Sequence, residues 1–271
     1  MRKILYLTDL YYEAKGRQYH KEDLYITSKL KEHFDLVLCH PLNSKSFEKD
    51  VELIIFRNTG SVINYKKEYE AFLKRVKTNH LKVFNDFKGK ADVCGKQYLI
   101  DLTLKKYPVI PTIDNINNLK LLPDVEKYMV KPKNGADSVG LKVLSKKELC
   151  NIDFSNERSI IQPFIDFEYE VSFYFLNNKL EYALYAPDKN KRWNLKKYEY
   201  SKEDLDFSKK FIKWNTTEYG IQRVDACRTK DGKLLLVELE DLNPYLSILE
   251  VDDVTRNNFI KDFTEVISKL W

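Results

Sequence analysis

The sequence predicts a small parallel α/β region followed by a larger α+β region. Up to about residue 90, apolar runs alternate with amphipathic stretches, the rhythm of βαβ units. Beyond it, apolar strands are joined by short turns such as Asn177-Asn178 and Asp231-Gly232, which gives antiparallel hairpins. The chain has 271 residues, 43% hydrophobic and 32% charged, an ordinary globular balance with room for one large or two to three smaller domains.

Taken in order, strands are expected at 3–7, 34–38, 52–56 and 81–84, with helices at 21–32 and 65–77. The first strand has a short apolar core followed by Asp9, so it does not read as a signal peptide. In a parallel sheet ligands lie beyond the carboxyl ends of the strands. That directs attention to Thr8, Asp9, Leu10 and Tyr11, and to Arg57, Asn58, Thr59 and Gly60. Arg57 is either a surface charge or an anion contact; with Asn58 and Thr59 it is a substrate candidate. A helix over 92–106 carries Lys96 near its start and stops before Pro108 and Pro111. Strands follow at 128–131, 141–144 and 159–162, with a short helix at 146–150. A long alternating strand at 170–176 turns into 179–185. An amphipathic helix covers 201–219, and a last helix at 257–270 spaces Phe259, Phe263, Val266 and Ile267 as core.

The net charge of +5 is mild; it allows anionic ligands and does not argue for nucleic acid. No apolar run approaches the ~20 residues of a membrane helix. Cys39, Cys94, Cys150 and Cys227 show no CxxC spacing, which reads as a reduced cytoplasmic protein with small buried thiols. His20, His33, His40 and His80 have no metal-type spacing and read as structural or surface residues.

Two patterns carry chemistry. The first is the stretch from Gly220 to Pro244. Alternation puts Arg223 and Asp225 on one face of one strand, and Glu238 and Glu240 on one face of the next, with Asp231-Gly232 at the turn. Such acids are either solvated or gathered around a hard cation, for which oxygen ligands suit Mg²⁺. The apolar run 234–237 leads straight into Glu238, so this strand is expected to be buried on both faces, where acids need a partner. The second is Lys131 followed by Gly135, Ser138 and Gly140 in a loop between strands. Glycines let backbone N–H groups cradle phosphate oxygens, and a lysine adds charge. The loop lacks the GxxxxGK[ST] of a Walker A motif, and a simple hairpin is the alternative. A basic stretch over 188–197 places five Lys and Arg around Trp193. It is either a solvated loop or a lid over a triphosphate or anionic substrate, with Lys189 and Arg192 as the leading contacts.

Lys131-Pro132, Gly135, Ser138-Val-Gly140, then Gln162-Pro-Phe-Ile165, Arg223-Val-Asp225, and Glu238-Leu-Glu240 with Asn243-Pro244 resemble the ATP-grasp superfamily. The order and spacing are similar to D-alanine:D-alanine ligase, glutathione synthetase and the ribosomal-protein glutamyl ligases. The resemblance implies a preceding α/β domain over 1–90 and a two-subdomain ATP-grasp domain over 91–271. About 115–165 would bear the flap and 166–271 the metal. It implies ATP and Mg²⁺ as cofactors. Lys96 and Lys131 would contact the phosphates, Gly135 to Gly140 the flap, and Gln162, Phe164 and Ile165 the adenine hinge. Glu170 would meet the ribose, with Glu168 its rival. Asp225, Glu238 and Glu240 would ligate the metal, with Asn243 as a rival ligand, and Arg223 would steady the transferred phosphoryl group. The family usually has Glu-x-Asn where Glu238-Leu-Glu240 stands here; the extra acid points to Mn²⁺ or tighter Mg²⁺. The implied activity is a carboxylate–amine ligase that forms a C–N bond through an acyl phosphate and releases ADP and phosphate. Its substrates would be a small-molecule, amino-acid or peptide carboxylate and an amine. A small-molecule kinase and a non-catalytic ATP-binding module are the alternatives, and a homodimer is left open.

Overall fold

A computed structural model describes residues 1–14, 16–134, 140–151, 159–188, 190–191 and 193–271. Its N-terminal part contains β1 (Arg2–Leu7), β2 (Glu13–Ala14), β3 (Arg17–Gln18), α1 (His20–Leu30), β4 (Phe34–Cys39), β5 (Leu53–Phe56), α2 (Lys66–Thr78) and β6 (Val83–Phe84). The larger strands form a parallel sheet in the order β4-β1-β5-β6, as the βαβ rhythm requires. Ile4, Leu5, Tyr6 and Leu7 are all fully buried, which explains why β1 runs on as an unbroken apolar stretch after Arg2 and Lys3 rather than alternating. The expected strand 81–84 shrinks to two residues. The Leu81 N–H closes the end of α2 on the Val76 carbonyl at 3.0 Å instead of joining the sheet.

The expected helix 92–106 is broken. A 3₁₀ turn at Asp92–Cys94 is followed by Gly95 at φ +75°, and α3 spans Gln97–Leu104. A Cβ on Gly95 would lie 2.7 Å from Asn134 Oδ1. Glycine therefore lets this bend approach the strand that follows, and Lys96 N–H bonds the Lys133 carbonyl at 3.1 Å.

Next come β7 (Lys127–Pro132), β8 (Lys142–Ser145), α4 (Lys146–Cys150) and β9 (Ser159–Pro163). The three strands form an antiparallel sheet in the order β8-β7-β9. Ile113, Leu122, Tyr128, Val130, Leu149 and Ile161 fill its core. The chain then builds β10 (Phe167–Leu176), β11 (Lys179–Ala186), β12 (Lys196–Lys197), α5 (Lys202–Asn215), β13 (Ile221–Thr229), β14 (Leu234–Glu240) and α6 (Asp253–Ser268). These strands make an antiparallel sheet in the order β12-β11-β10-β13-β14.

Two boundaries differ from expectation. Helix α5 starts at a capping box of Ser201 and Asp204 and ends at Asn215, not 219, because Thr216 turns left-handed at φ +65°. The Asn215 side chain bonds Lys90 N–H, Thr217 Oγ1 and Gln222 Oε1, which fixes that end. Helix α6 starts four residues early, capped by Asp252. Alternate side chains of β10 serve two cores. Phe173 and Phe175 pack with Phe211, Val224 and Leu236. Tyr174 and Leu176 pack with Ile4, Tyr6, Leu246 and Phe259, locking the parallel sheet to the large one. Each such fully buried apolar side chain contributes about 1.5–3 kcal/mol of transfer free energy. Cys39 and Cys227 are buried free thiols, but Cys150 is exposed at the end of α4, against the expectation of buried thiols. Among the described residues no helix is long and apolar enough to cross a membrane.

Candidate active site

The hairpin β13–β14 builds the centre. Its turn closes as the Asp-Gly signal predicts, with Gly232 at φ +80° and Thr229 N–H on the Lys233 carbonyl at 2.9 Å. Arg223 pairs with Glu240, and Asp225 with Glu238. Between Asp225 and Ala226 the register shifts, because Ala226 faces Leu236 and Val237 is extra. This β-bulge aligns the two acidic strands so that all four charged residues share a face. Oxygens of Asp225, Glu238 and Glu240 lie within 4.8 Å of one another. Leu234, Leu236 and Leu239 are buried, but Leu235 and Val237 are only partly so. The expected burial of β14 on both faces fails because Leu235 lies on the acids' own face, opposite Cys227.

Arg223 bridges two of the acids. Its Nε and Nη2 donate to Asp225 at 2.9 and 2.8 Å, Nη2 also donates to Glu240 at 2.6 Å, and Nη1 donates to the Tyr245 carbonyl at 2.8 Å. Ser172 on β10 donates to Asp225 at 2.7 Å. Lys96 lies 3.3 Å from Glu238. Burial would lift the Glu238 carboxyl, but Lys96, Lys131 and Arg223 outweigh it and hold the group below its usual range. Burial pushes Glu240 up to about 8 against the pull of Arg223, with Asp225 and Glu238 adding to the rise. Even with these cations beside them the acids crowd one another, since both Asp225 and Glu238 add to the rise of Glu240. A divalent cation with hard oxygen donors fits this set, and either Mg²⁺ or Mn²⁺ matches the chemistry. Burial also lowers the Lys131 ammonium, with Lys96 adding and Glu238 and Glu170 opposing. Two lysines from different parts of the chain thus act on the same acid, Glu238, as a site for a polyanion with its cation requires.

The other predicted residues are placed as follows. Gln162 is buried in β9 and donates to Thr112 Oγ1 at 2.7 Å. Phe164 is exposed, and its N–H bonds the Lys127 carbonyl at 2.9 Å. Ile165 is half-buried beside it. Glu170 lies on β10 two residues before Ser172, on the same face, while Glu168 is exposed. Gly140 has φ +77°, and a Cβ there would lie 3.0 Å from Pro132 Cγ. Gly135, Ser138, Lys189 and Arg192 lie outside the described residues. Of the basic stretch, Lys196 and Lys197 pair as β12 against β11.

Arg57 is neither a surface charge nor an open anion contact. It is 1% exposed, donates to Glu22 at 2.8 Å and to the Pro244 carbonyl at 2.8 Å, and lies 3.5 Å from Asp23. The chain after β14 returns over it, so its charge is spent inside the protein. Asn58 and Thr59 are buried with it; Asn58 donates to Glu22, and Thr59 accepts from Asn243 at 3.3 Å. The Asn243 amide also donates to the Gly60 carbonyl at 2.9 Å, committing its nitrogen to the loop after β5.

Sequence reasoning missed Ser172, Tyr245 and the acid pair Asp92–Asp241. Ser172 carried a signal, since it shares the face of Glu170 at i+2. The pair did not, since its members are 149 positions apart.

No protein-family model matches the chain, and no curated protein sequence does. Solved structures do. The chain is similar to D-cycloserine synthetase DcsG, at 15% identity and TM-score 0.70 over 99% of both chains. It is similar to D-alanine–D-alanine ligase from Bacillus anthracis complexed with ATP, at 14% identity and TM-score 0.68, covering 100% of this chain and 96% of that one. It is also similar to the ATP-grasp ligase PsnB complexed with a variant of its minimal precursor, Mg and ADP, at 13% identity and TM-score 0.65, covering 99% and 97%. The chain has the fold of the ATP-grasp ligases over nearly its whole length.

Proposed function

We propose that the chain is an ATP-dependent ligase that joins a carboxylate to an amine through an acyl phosphate, releasing ADP and phosphate. The observation that carries this is the gathering of Asp225, Glu238 and Glu240 within 4.8 Å, faced by Lys96, in an ATP-grasp fold. Asp225, Glu238 and Glu240 would hold Mg²⁺ or Mn²⁺, which when bound neutralises charge on the phosphates. Lys96 and Lys131 bind phosphate oxygens, helped by the loop of Gly135, Ser138 and Gly140. At the hinge Pro163 has no N–H and that of Phe164 is taken, so Ile165 is the backbone donor for adenine. Glu170 takes the ribose hydroxyls. Arg223 steadies the phosphoryl group in flight. A substrate carboxylate oxygen attacks the γ-phosphorus and ADP leaves; the amine then attacks the acyl carbon, phosphate leaves and the nitrogen loses a proton. Positioning and charge neutralisation are the whole of the protein's task.

The test is ADP and free phosphate release with ATP, Mg²⁺ and mixtures of amino acids and short peptides. A ligase releases free phosphate only when a carboxylate and an amine are both present. ADP formed without free phosphate would mean a kinase and overturn the ligase reading.

A further inference from the structure

Arg17 is a guanidinium enclosed by groups from distant parts of the chain. It stands on β3, in the small hairpin that follows β1, at the carboxyl end of the parallel sheet where ligands collect. Its side chain is only 11% exposed. The Trp193 ring, from the basic stretch, covers it at 4.5 Å, and the Tyr245 ring lies 5.3 Å away. Tyr245 is also the residue whose carbonyl receives Arg223, so one residue links Arg17 to the phosphoryl-handling centre. The Tyr19 ring packs on Tyr245 at 4.5 Å and completes an aromatic wall.

The hydrogen bonding of this guanidinium is incomplete. Nη2 makes two long contacts, to the Trp193 carbonyl and to Glu250, both at 3.4 Å. Nη1 is buried with no hydrogen-bond partner among the described residues. A buried donor left unmade is costly, and an arginine fork is shaped for two parallel bonds to a carboxylate. Stacked rings already fix the plane of the fork, so little rotamer freedom is lost on binding. A lone guanidinium with Glu250 beside it suits a monoanion better than a doubly charged phosphate.

We propose that Arg17 is a carboxylate-recognition site, which binds an unreactive carboxylate of the substrate, distinct from the one that is activated. This rests on the ligase reading and narrows its substrates to molecules with a second anionic group. A carboxylate on Nη1 changes the electrostatic surroundings of the Trp193 ring stacked on the same guanidinium, so binding is visible in tryptophan fluorescence.

The test uses the full chain with AMPPNP and Mg²⁺, titrated by calorimetry and fluorescence with matched pairs: L-glutamate against L-glutamine, L-aspartate against L-asparagine, and a short peptide with a free against an amidated C-terminus. The wild type is expected to prefer the acid of at least one pair tenfold or more. Arg17→Gln is expected to reduce that preference below twofold while AMPPNP affinity is unchanged. Arg17→Lys, which keeps the charge but not the fork, should fall below threefold and carries the test if Arg17→Gln does not fold. A role in packing alone would weaken acid and amide equally. The proposal is overturned if the wild type shows no preference or if both variants keep it. Failure of AMPPNP to bind the wild type would instead contradict the ligase reading.

Discussion

Replacing Asp241 by Asn should cost far more than replacing its partner Asp92. The Asp241 carboxylate accepts the N–H groups of Ala91 at 2.9 Å and Val93 at 3.0 Å, one on each oxygen. Asp92 accepts the Asp241 N–H at 2.8 Å. Burial first, then Asp241 and Glu240, raise the Asp92 carboxyl well above its usual value, which favours the neutral form that can donate to Asp241. An amide at 92 keeps both the donor and the acceptor, so Asp92→Asn should cost under ~1 kcal/mol. An amide at 241 has one oxygen for two N–H groups. One buried donor is lost and faces an NH₂, and the bond from Asp92 is disturbed as well. At about 1–3 kcal/mol for each unmade group, Asp241→Asn should cost roughly 2–4 kcal/mol. Gly89→Ala should do comparable damage, since its Cβ would lie 2.0 Å from Asp241 Oδ2. Urea unfolding at pH 7 reads the difference as a shift of roughly 1 M in midpoint. The same junction ties the end of β14 to the turn before Lys96, so Asp241→Asn should also lower turnover. Equal stability of the two Asn variants would refute the reasoning.

Glu238→Gln should lower turnover by at least about a hundredfold while the variant stays folded, because the side chain is 34% exposed and its loss removes charge at the phosphates; unchanged turnover would sink the metal assignment. Lys131→Ala should weaken ATP binding at least about tenfold by calorimetry; wild-type affinity would refute its phosphate role. Burial, opposed by Lys179 and aided by Asp262, raises Glu181 from 4.5 to about 7. A raised carboxyl contributes stability below 4.5 that is lost as pH climbs through 7, so Glu181→Gln should match the wild type near pH 5 and exceed it by roughly 2–3 kcal/mol at pH 8. Parallel pH profiles in urea would contradict this.

The elements and the acidic hairpin were legible in the sequence because their signals are local. Asp231-Gly232 marks its own turn, and alternation pairs Arg223 with Asp225 and Glu238 with Glu240. What aligns the two strands is the extra residue Val237, and a bulge leaves no mark in a period-2 pattern. Arg57 read as a strand-end charge, since nothing near it in sequence shows that Pro244, 187 positions away, covers it. The break at Gly95 and the early end of α5 at Asn215 are likewise set by partners elsewhere, Asn134 and Lys90. Ser172 was within reach of the alternation rule, while Arg17, Trp193 and Tyr245 meet only through the tertiary fold.

The most direct test of the central claim is an anomalous-scattering map from a crystal grown with AMPPNP and Mn²⁺. The expected result is a Mn²⁺ peak ligated by Asp225, Glu238 and Glu240, with Lys96 and Lys131 on the phosphates. Bound nucleotide with no metal at these three carboxylates would contradict it.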